Sequence, residues 1–303
     1  MRVLAACIFS ALALPSVALA QSTAIPGIEL GLTEAAARPH IDAACGTITR
    51  IEISDTRFPF ASNSEVHLRC RRLTLANGSN AGDAVFTFAD DSLIMIETRG
   101  EPSAMAPDTA PAMSLSGYEV FMPQQILLNR GAGQTWILAT PALASIAISW
   151  KNPAWTDDHP VAPSEPFTMP AQIRFGATLS EIETSLGGVC DLKLVHDIEE
   201  IWLHTAPAVQ LQLDCYGVEI GGYPRGLEFV FGDGQLEQMW ILFGPADIER
   251  LRATLTSRYG PADHVDDVYE AFDGWRIAIR KDKPEILMGS ERLAEIWRRD
   301  GYR

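Results

Sequence analysis

Two stretches of the chain alternate apolar and polar residues with a period of two. Val66, Leu68 and Cys70 are interleaved with Glu65, His67, Arg69 and Arg71, and Val209, Leu211, Leu213 and Cys215 with Gln210, Gln212, Asp214 and Tyr216. That period predicts strands with one face in a core and a polar face turned away from it. Phe86 with Phe88, and Phe229 with Phe231, predict the next inward-facing strands; Asp90-Asp91 and Gly232-Asp233-Gly234 predict the turns after them. A helical spacing replaces the alternation at Leu179, Ile182 and Leu186. It opens with the capping box Thr178-x-x-Glu181 and stops at Gly187-Gly188. Pro245 to Tyr259, with Ile248, Leu251 and Leu255 on one face, predicts another helix ended by Gly260-Pro261. Alternation returns around Trp275 to Ile279, and the chain closes with Leu293-Ala294-Glu295-Ile296-Trp297.

These patterns occur twice. The same number of residues separates Cys45 from Cys70 and Cys190 from Cys215. Laying Cys190 over Cys45 also lays Ile173 over Ile28, Gly176 over Gly31 and Thr178 over Thr33. With small shifts of offset, Phe229, Phe231, Asp233 and Leu236 fall over Phe86, Phe88, Asp90 and Leu93, and Tyr269, Glu270 and Phe272 over Tyr118, Glu119 and Phe121. An ordered series with offset changes in loops is the mark of a diverged duplication. Each copy is expected to open with a short strand, a glycine and a helix, the first helix shortened or broken by Pro39. Pro153, Pro160, Pro163, Pro166 and Pro170, without apolar periodicity, predict a linker over residues 152–170. The expected organisation is therefore a first repeat over 21–151 and a second over 171–303. Residues 101–116 form a loose stretch where the second copy has its extra helix.

Composition adds a compartment. Arg2, then an apolar run from Val3 ending Ala18-Leu19-Ala20, reads as a secretory signal peptide over residues 1–20. Leu4-Ala5-Ala6-Cys7 is spelled like a lipoprotein box, but no apolar core precedes it, so Cys7 is assigned to the removed segment. Four cysteines remain. An even count in an exported chain reads as two disulfides, and the repeat selects Cys45–Cys70 and Cys190–Cys215 among the three pairings. The expected fold is thus α+β: two tandem helix-plus-antiparallel-sheet units, each with one disulfide, in a periplasmic or secreted protein. Lys and Arg number 24 against 39 Asp and Glu, a formal charge of −15 that becomes −16 without Arg2. Such a field repels phosphate backbones and anionic membranes, so the expectation is no nucleic acid and no membrane insertion after signal removal.

Ile173-x-Phe175-Gly176-x-Thr178-x-x-Glu181-Ile182, followed by Leu186-Gly187, resembles the opening motif of SmpA/OmlA-type envelope domains. Joined to Cys190, Leu211-x-Leu213-x-Cys215 and Phe229-x-Phe231-x-Asp233-Gly234-x-Leu236, the pattern is more similar to the secreted β-lactamase inhibitor protein (BLIP) family. The resemblance covers residues 28–93 and 173–243 and is clearer in the second copy. It implies a tandem duplication that binds another protein through a sheet face and loops between strands. By position these would be His67, Arg69, Gln212, Asp214 and Tyr216, with the loops Ala76 to Asp83 and Gly217 to Arg225. The chain departs from that family by adding about half as much again to each copy.

Motifs for chemistry are sparse. No G-x-S-x-G elbow, P-loop or H-E-x-x-H occurs, and Gly131-Ala132-Gly133 reads as a hairpin turn. Asp157-Asp158-His159 and His264-x-Asp266-Asp267 have the donor types of a metal site but also the composition of solvated loops. His196-Asp197 with Glu199 and Glu200 offers an acid–base grouping or a polar strand edge. Among Trp202, Tyr216, Tyr223 and Trp240, interface anchors and core residues are both expected, and Trp202 joins the partner-binding set. The reading is a non-enzymatic protein-binding module, an inhibitor or envelope scaffold, without cofactor or metal. The alternative is a hydrolase or small-ligand binder using the cleft between the copies.

Overall fold

A computed structural model describes residues 24–115, 117–140, 143–161 and 173–302. The signal peptide and residues 162–170 of the expected linker lie outside the described residues. The chain divides into two compact units. In the first, α1 (Glu34–Ala44) leads into an eight-stranded antiparallel sheet of β1 (Cys45–Ile53), β2 (Glu65–Leu73), β3 (Asp83–Ala89), β4 (Ser92–Arg99), β5 (Met113–Leu115), β6 (Tyr118–Phe121), β7 (Ile126–Asn129) and β8 (Gln134–Leu138). Helix α2 (Leu143–Ser149) follows. In the second unit, α3 (Leu179–Leu186) precedes β9 (Leu192–Ile198), β10 (Gln210–Ile220), β11 (Tyr223–Gly232) and β12 (Gln235–Leu242). Then come α4 (Ile248–Tyr259), β13 (His264–Val265), β14 (Tyr269–Phe272), β15 (Ile277–Arg280), β16 (Glu285–Gly289) and α5 (Glu291–Asp300).

The strand order is β1-β2-β3-β4-β8-β7-β6-β5 in the first sheet. Read from its β9 end, the second is β9-β10-β11-β12-β16-β15-β14-β13, the same topology. Each sheet is two four-stranded meanders joined through their fourth and last strands. The duplication extends to single hydrogen bonds. The N–H groups of Gly31 and Gly176, both at positive φ, donate to the carbonyls of Leu93 and Leu236. Asp90 accepts from the N–H groups of Ser62, Asn63 and Ser64, and Asp233 from those of Ala208 and Val209. The two-residue turns Asp90-Asp91 and Asp233-Gly234 have positive φ throughout, which matches the twist of a tight hairpin. A register shift falls between Thr87 and Phe88 and again between Val230 and Phe231.

The cysteine-bearing side of each sheet faces its helix, as the alternation predicts. Ala37, Ile41 and Ala44 of α1 pack with Leu68, Cys70, Phe86 and Phe88; Ile182 and Leu186 of α3 pack with Leu213, Cys215, Phe229 and Phe231. Cys45–Cys70 and Cys190–Cys215 are bonded, with Cα atoms 5.5 and 5.3 Å apart. Each closes a loop whose entropy loss in the unfolded chain stabilises the unit by roughly 3 kcal/mol. Such bonds persist in an oxidising compartment.

Four expectations need correction. Residues 28–31 and 173–176 form no opening strand: both end in a turn, at Leu30-Gly31 and Phe175-Gly176, and only Glu29 makes an isolated bridge. Pro39 does not break α1: the helix runs through it, because the missing proline N–H removes one internal bond while Ala37, Ile41 and Ala44 stay anchored in the core. Gly217 to Arg225 is not a long loop; β10 and β11 extend into it and turn at Gly221-Gly222, both at positive φ. Residues 152–161 do not behave as linker. They belong to the first unit, where the turn Pro153–Trp155 lays Ala154 against Ile51, Ile53 and Val85 on the outer side of the sheet.

Candidate functional site

The outer face of the second sheet carries an array of polar side chains. Antiparallel register sets Gln212 beside His196, and Asp214 beside Glu228. Asp214 accepts from the Gln212 amide at 2.7 Å and pairs with His196 Nε2 at 3.0 Å. That hydrogen bond raises the His196 pKa above its ordinary value despite partial burial. Glu228 lies in the otherwise apolar run Leu227, Phe229, Val230, Phe231, in a strand whose every residue is buried. Burial, reinforced by the neighbouring Asp214 carboxylate, pushes its pKa well above the usual carboxylate range. Burial raises the Tyr216 hydroxyl and the Glu285 carboxyl as well. Farther along this face α5 forms a roof: Leu293, Ala294 and Trp297 pack with Val230, Trp240, Ala278 and Leu287.

In the first unit the corresponding face holds His67, whose Nε2 pairs with Glu65 at 2.9 Å and whose Nδ1 lies 3.2 Å from the Thr87 hydroxyl. Asn152 Nδ2 donates to the same hydroxyl at 3.3 Å. Arg69 reaches Asp157 at 2.8 Å.

Of the six side chains expected to meet a partner, five are buried. His67, Arg69, Gln212, Asp214 and Tyr216 face away from the helix layer, as the alternation requires, but not into solvent. In the first unit the physical reason is the chain folding back as Asn152 to Asp157 over the sheet. In the second, the polar groups of Gln212, Asp214 and His196 satisfy one another. Trp202 alone of the six is exposed, at 39%. Tyr216, Tyr223 and Trp240 are core residues.

Trp202 is held by a bond that the duplication repeats. The Gln210 side-chain oxygen accepts from the N–H groups of Trp202 and Leu203 at 3.1 and 3.0 Å. In the first unit the Glu65 carboxylate accepts from Arg57 and Phe58 in the same way. The slot is kept while its side chain changes from a part-buried Arg57 paired with Asp55 to an exposed Trp202. Ile201 and Val209 flank it, and five of the eight exposed large apolar side chains among the described residues fall within residues 189–209, although Val189 lies toward the Tyr216 end of β10. Trp202, Ile201 and Val209 together form a small apolar rim at the Gln210 end of β10.

The two groupings with the donor types of a metal site do not assemble among the described residues. No group of three or more His, Cys, Asp or Glu side chains among the described residues could hold a metal. Asp266 instead closes its own turn, accepting from Val268 and Tyr269 N–H groups and from His264, and its pKa falls to about 2. His196 pairs with Asp214, not with its sequence neighbour Asp197. His204 packs on Trp297 and Tyr302, and His264 on Trp275, so the three histidines have separate surroundings. A hollow beside α3, lined by Arg174, Ser180, Glu181 and Thr184, takes its polar groups from the capping box, where Glu181 is already bonded to Thr178 and Arg174. No described helix is long and apolar enough to cross a membrane. No family model matches the chain, and no curated protein matches it either.

Proposed function

We propose that the chain is an exported, non-enzymatic protein-binding module of the periplasm or extracellular space, acting as an enzyme inhibitor or envelope scaffold. Its contact surface is the rim of the second unit around Trp202. The observation that carries this reading is an exposed tryptophan on a backbone fixed by Gln210, flanked by exposed Ile201 and Val209. Tryptophan in such a setting is the residue type that anchors protein interfaces. The resemblance to the BLIP family agrees in kind, though not in place, because the sheet face used there is buried in this chain. Asp197, Glu199 and Glu200, all exposed beside the rim, favour a basic partner.

The test is capture from envelope extract by the mature protein after chemical crosslinking. Trp202→Ala should lower recovery of any specific partner at least about tenfold. Val265→Ser, which alters an exposed valine at the opposite edge of the same sheet, should leave it unchanged. Equal recovery with both variants rejects the rim.

A second reading, small-ligand or hydrolytic chemistry, is favoured by one observation: His196 bonded to Asp214 beside Glu228, a carboxyl whose pKa burial pushes up. Paired groups pushed apart in protonation are what acid–base chemistry requires. Turnover of ester or glycoside substrates that disappears in His196→Asn would support it.

A further inference from the structure

We propose that the mature chain self-associates as a two-fold dimer through antiparallel pairing of β9 with β9 of a second copy, centred on Val195. β9 ends its sheet and pairs only with β10, with no bulge or proline to blunt it. Its outer edge therefore presents a row of backbone N–H and C=O groups of the kind that recruits another strand. The remaining edge strands are poorer templates. β13 has two residues and β5 three; β1 is longer, but its Arg50 is already bound by Glu34 and Glu52.

The side chains of β9 choose the occupant. Lys193, Val195 and Asp197 stand exposed on the face shared with Leu213 and Cys215, and Val195 is 51% exposed. Neither Lys193 nor Asp197 has an ion-pair partner among the described residues. Read backwards, this exposed set is its own complement. An antiparallel ladder about Val195 sets valine on valine at the two-fold axis and Lys193 of each copy against Asp197 of the other. Opposite charges directly across a ladder stabilise it, and like charges destabilise it. Sliding the register by two residues in one direction sets Val195 against Asp197, and in the other sets Val195 against Lys193; both lose the valine pair at the axis and set an apolar side chain against a charge. Either pair type of an antiparallel ladder can lie on a two-fold axis, so Val195 is a permitted centre. Asp191 and Glu199, which flank β9 with like charge, limit the ladder to its seven residues. A seven-residue ladder falls short of the roughly 1,200 Å² buried in stable interfaces, so the dimer is concentration-dependent rather than obligate.

Sedimentation velocity of the oxidised mature protein, from low to several hundred micromolar, tests this. The expected result is a rise of the average mass toward that of a dimer. Lys193→Asp and Asp197→Lys should each weaken association at least about tenfold, because symmetry counts each change twice. The double exchange Lys193→Asp with Asp197→Lys should restore it. All these positions are exposed, and equal melting temperatures verify the fold. Trp202→Ala should leave the dimer unchanged, which keeps this test separate from that of the partner-binding rim. A monomer at every concentration, a dimer indifferent to charge reversal, or a double variant as weak as the single ones overturns the proposal.

Discussion

Glu228 ties the stability of the fold to pH. A carboxyl whose pKa is raised by folding binds more protons in the native than in the unfolded state. Native stability therefore falls as pH rises from the ordinary carboxylate value, about 4.5, toward the raised folded value. His196 has the same sign: its raised pKa gives stability that is complete below about 6.5 and is lost as pH climbs through the folded value. Glu228→Gln keeps the shape and removes the cost of holding a proton. It should stabilise the protein at pH 8 and almost not at all at pH 4, as read from urea unfolding at the two pH values. An unchanged difference at both would show that Glu228 is ionised in the fold. Neither residue's role was legible from periodicity. Glu228 could have been found as the lone acid in an apolar run; the His196–Asp214 pair needed β9 and β10 laid in register.

At the scale of elements, turns and caps carry much of the specification. Asp90 bonds three backbone N–H groups from a left-handed position, and Asp233 repeats this with two. Removing this carboxylate from Asp90 deletes three charge-assisted hydrogen bonds and puts alanine at a left-handed φ, so Asp90→Ala should cost about 2 kcal/mol in chemical denaturation. Pro39 works the other way. Pro39→Ala restores a helical bond inside α1 and should stabilise the first unit by about 1–3 kcal/mol in the same measurement. A neutral result would mean that the core contacts of Ala37 and Ile41 already offset the loss. The capping box of α3, the strands around Cys70 and Cys215 and the Asp-led hairpins were all legible, because each depends on neighbours along the chain. The burial of the polar strand faces was not. It depends on Asn152–Asp157 returning over the first sheet and on the pairing of Gln212 and His196 with Asp214 in the second, and period-two alternation reads any polar face as wet.

At the scale of the molecule, the repeat was readable from a few spaced residues, yet its extent was underestimated. Tyr118, Glu119 and Phe121 lie on β6, and Tyr269, Glu270 and Phe272 on β14, so that faint match marked a complete second meander in each copy. Because each unit has its own disulfide, Cys190→Ser with Cys215→Ser should lower the stability of the second unit by about 3 kcal/mol. Exchange of core amides in β10 and β11 reports this directly. Little change there would show that the bond contributes nothing beyond the packing around Phe229 and Phe231.

The two copies keep the same scaffold, but at the equivalent position the first holds a part-buried Arg57 paired with Asp55 and the second exposes Trp202, the proposed contact residue. The most direct test of that contact is a photo-crosslinking amino acid placed at position 202 of the mature protein and, separately, at position 265, followed by irradiation in envelope extract and mass spectrometry of the adducts. The account predicts a discrete protein adduct from position 202 and none from position 265. No adduct from 202, or the same adducts from both positions, would contradict it.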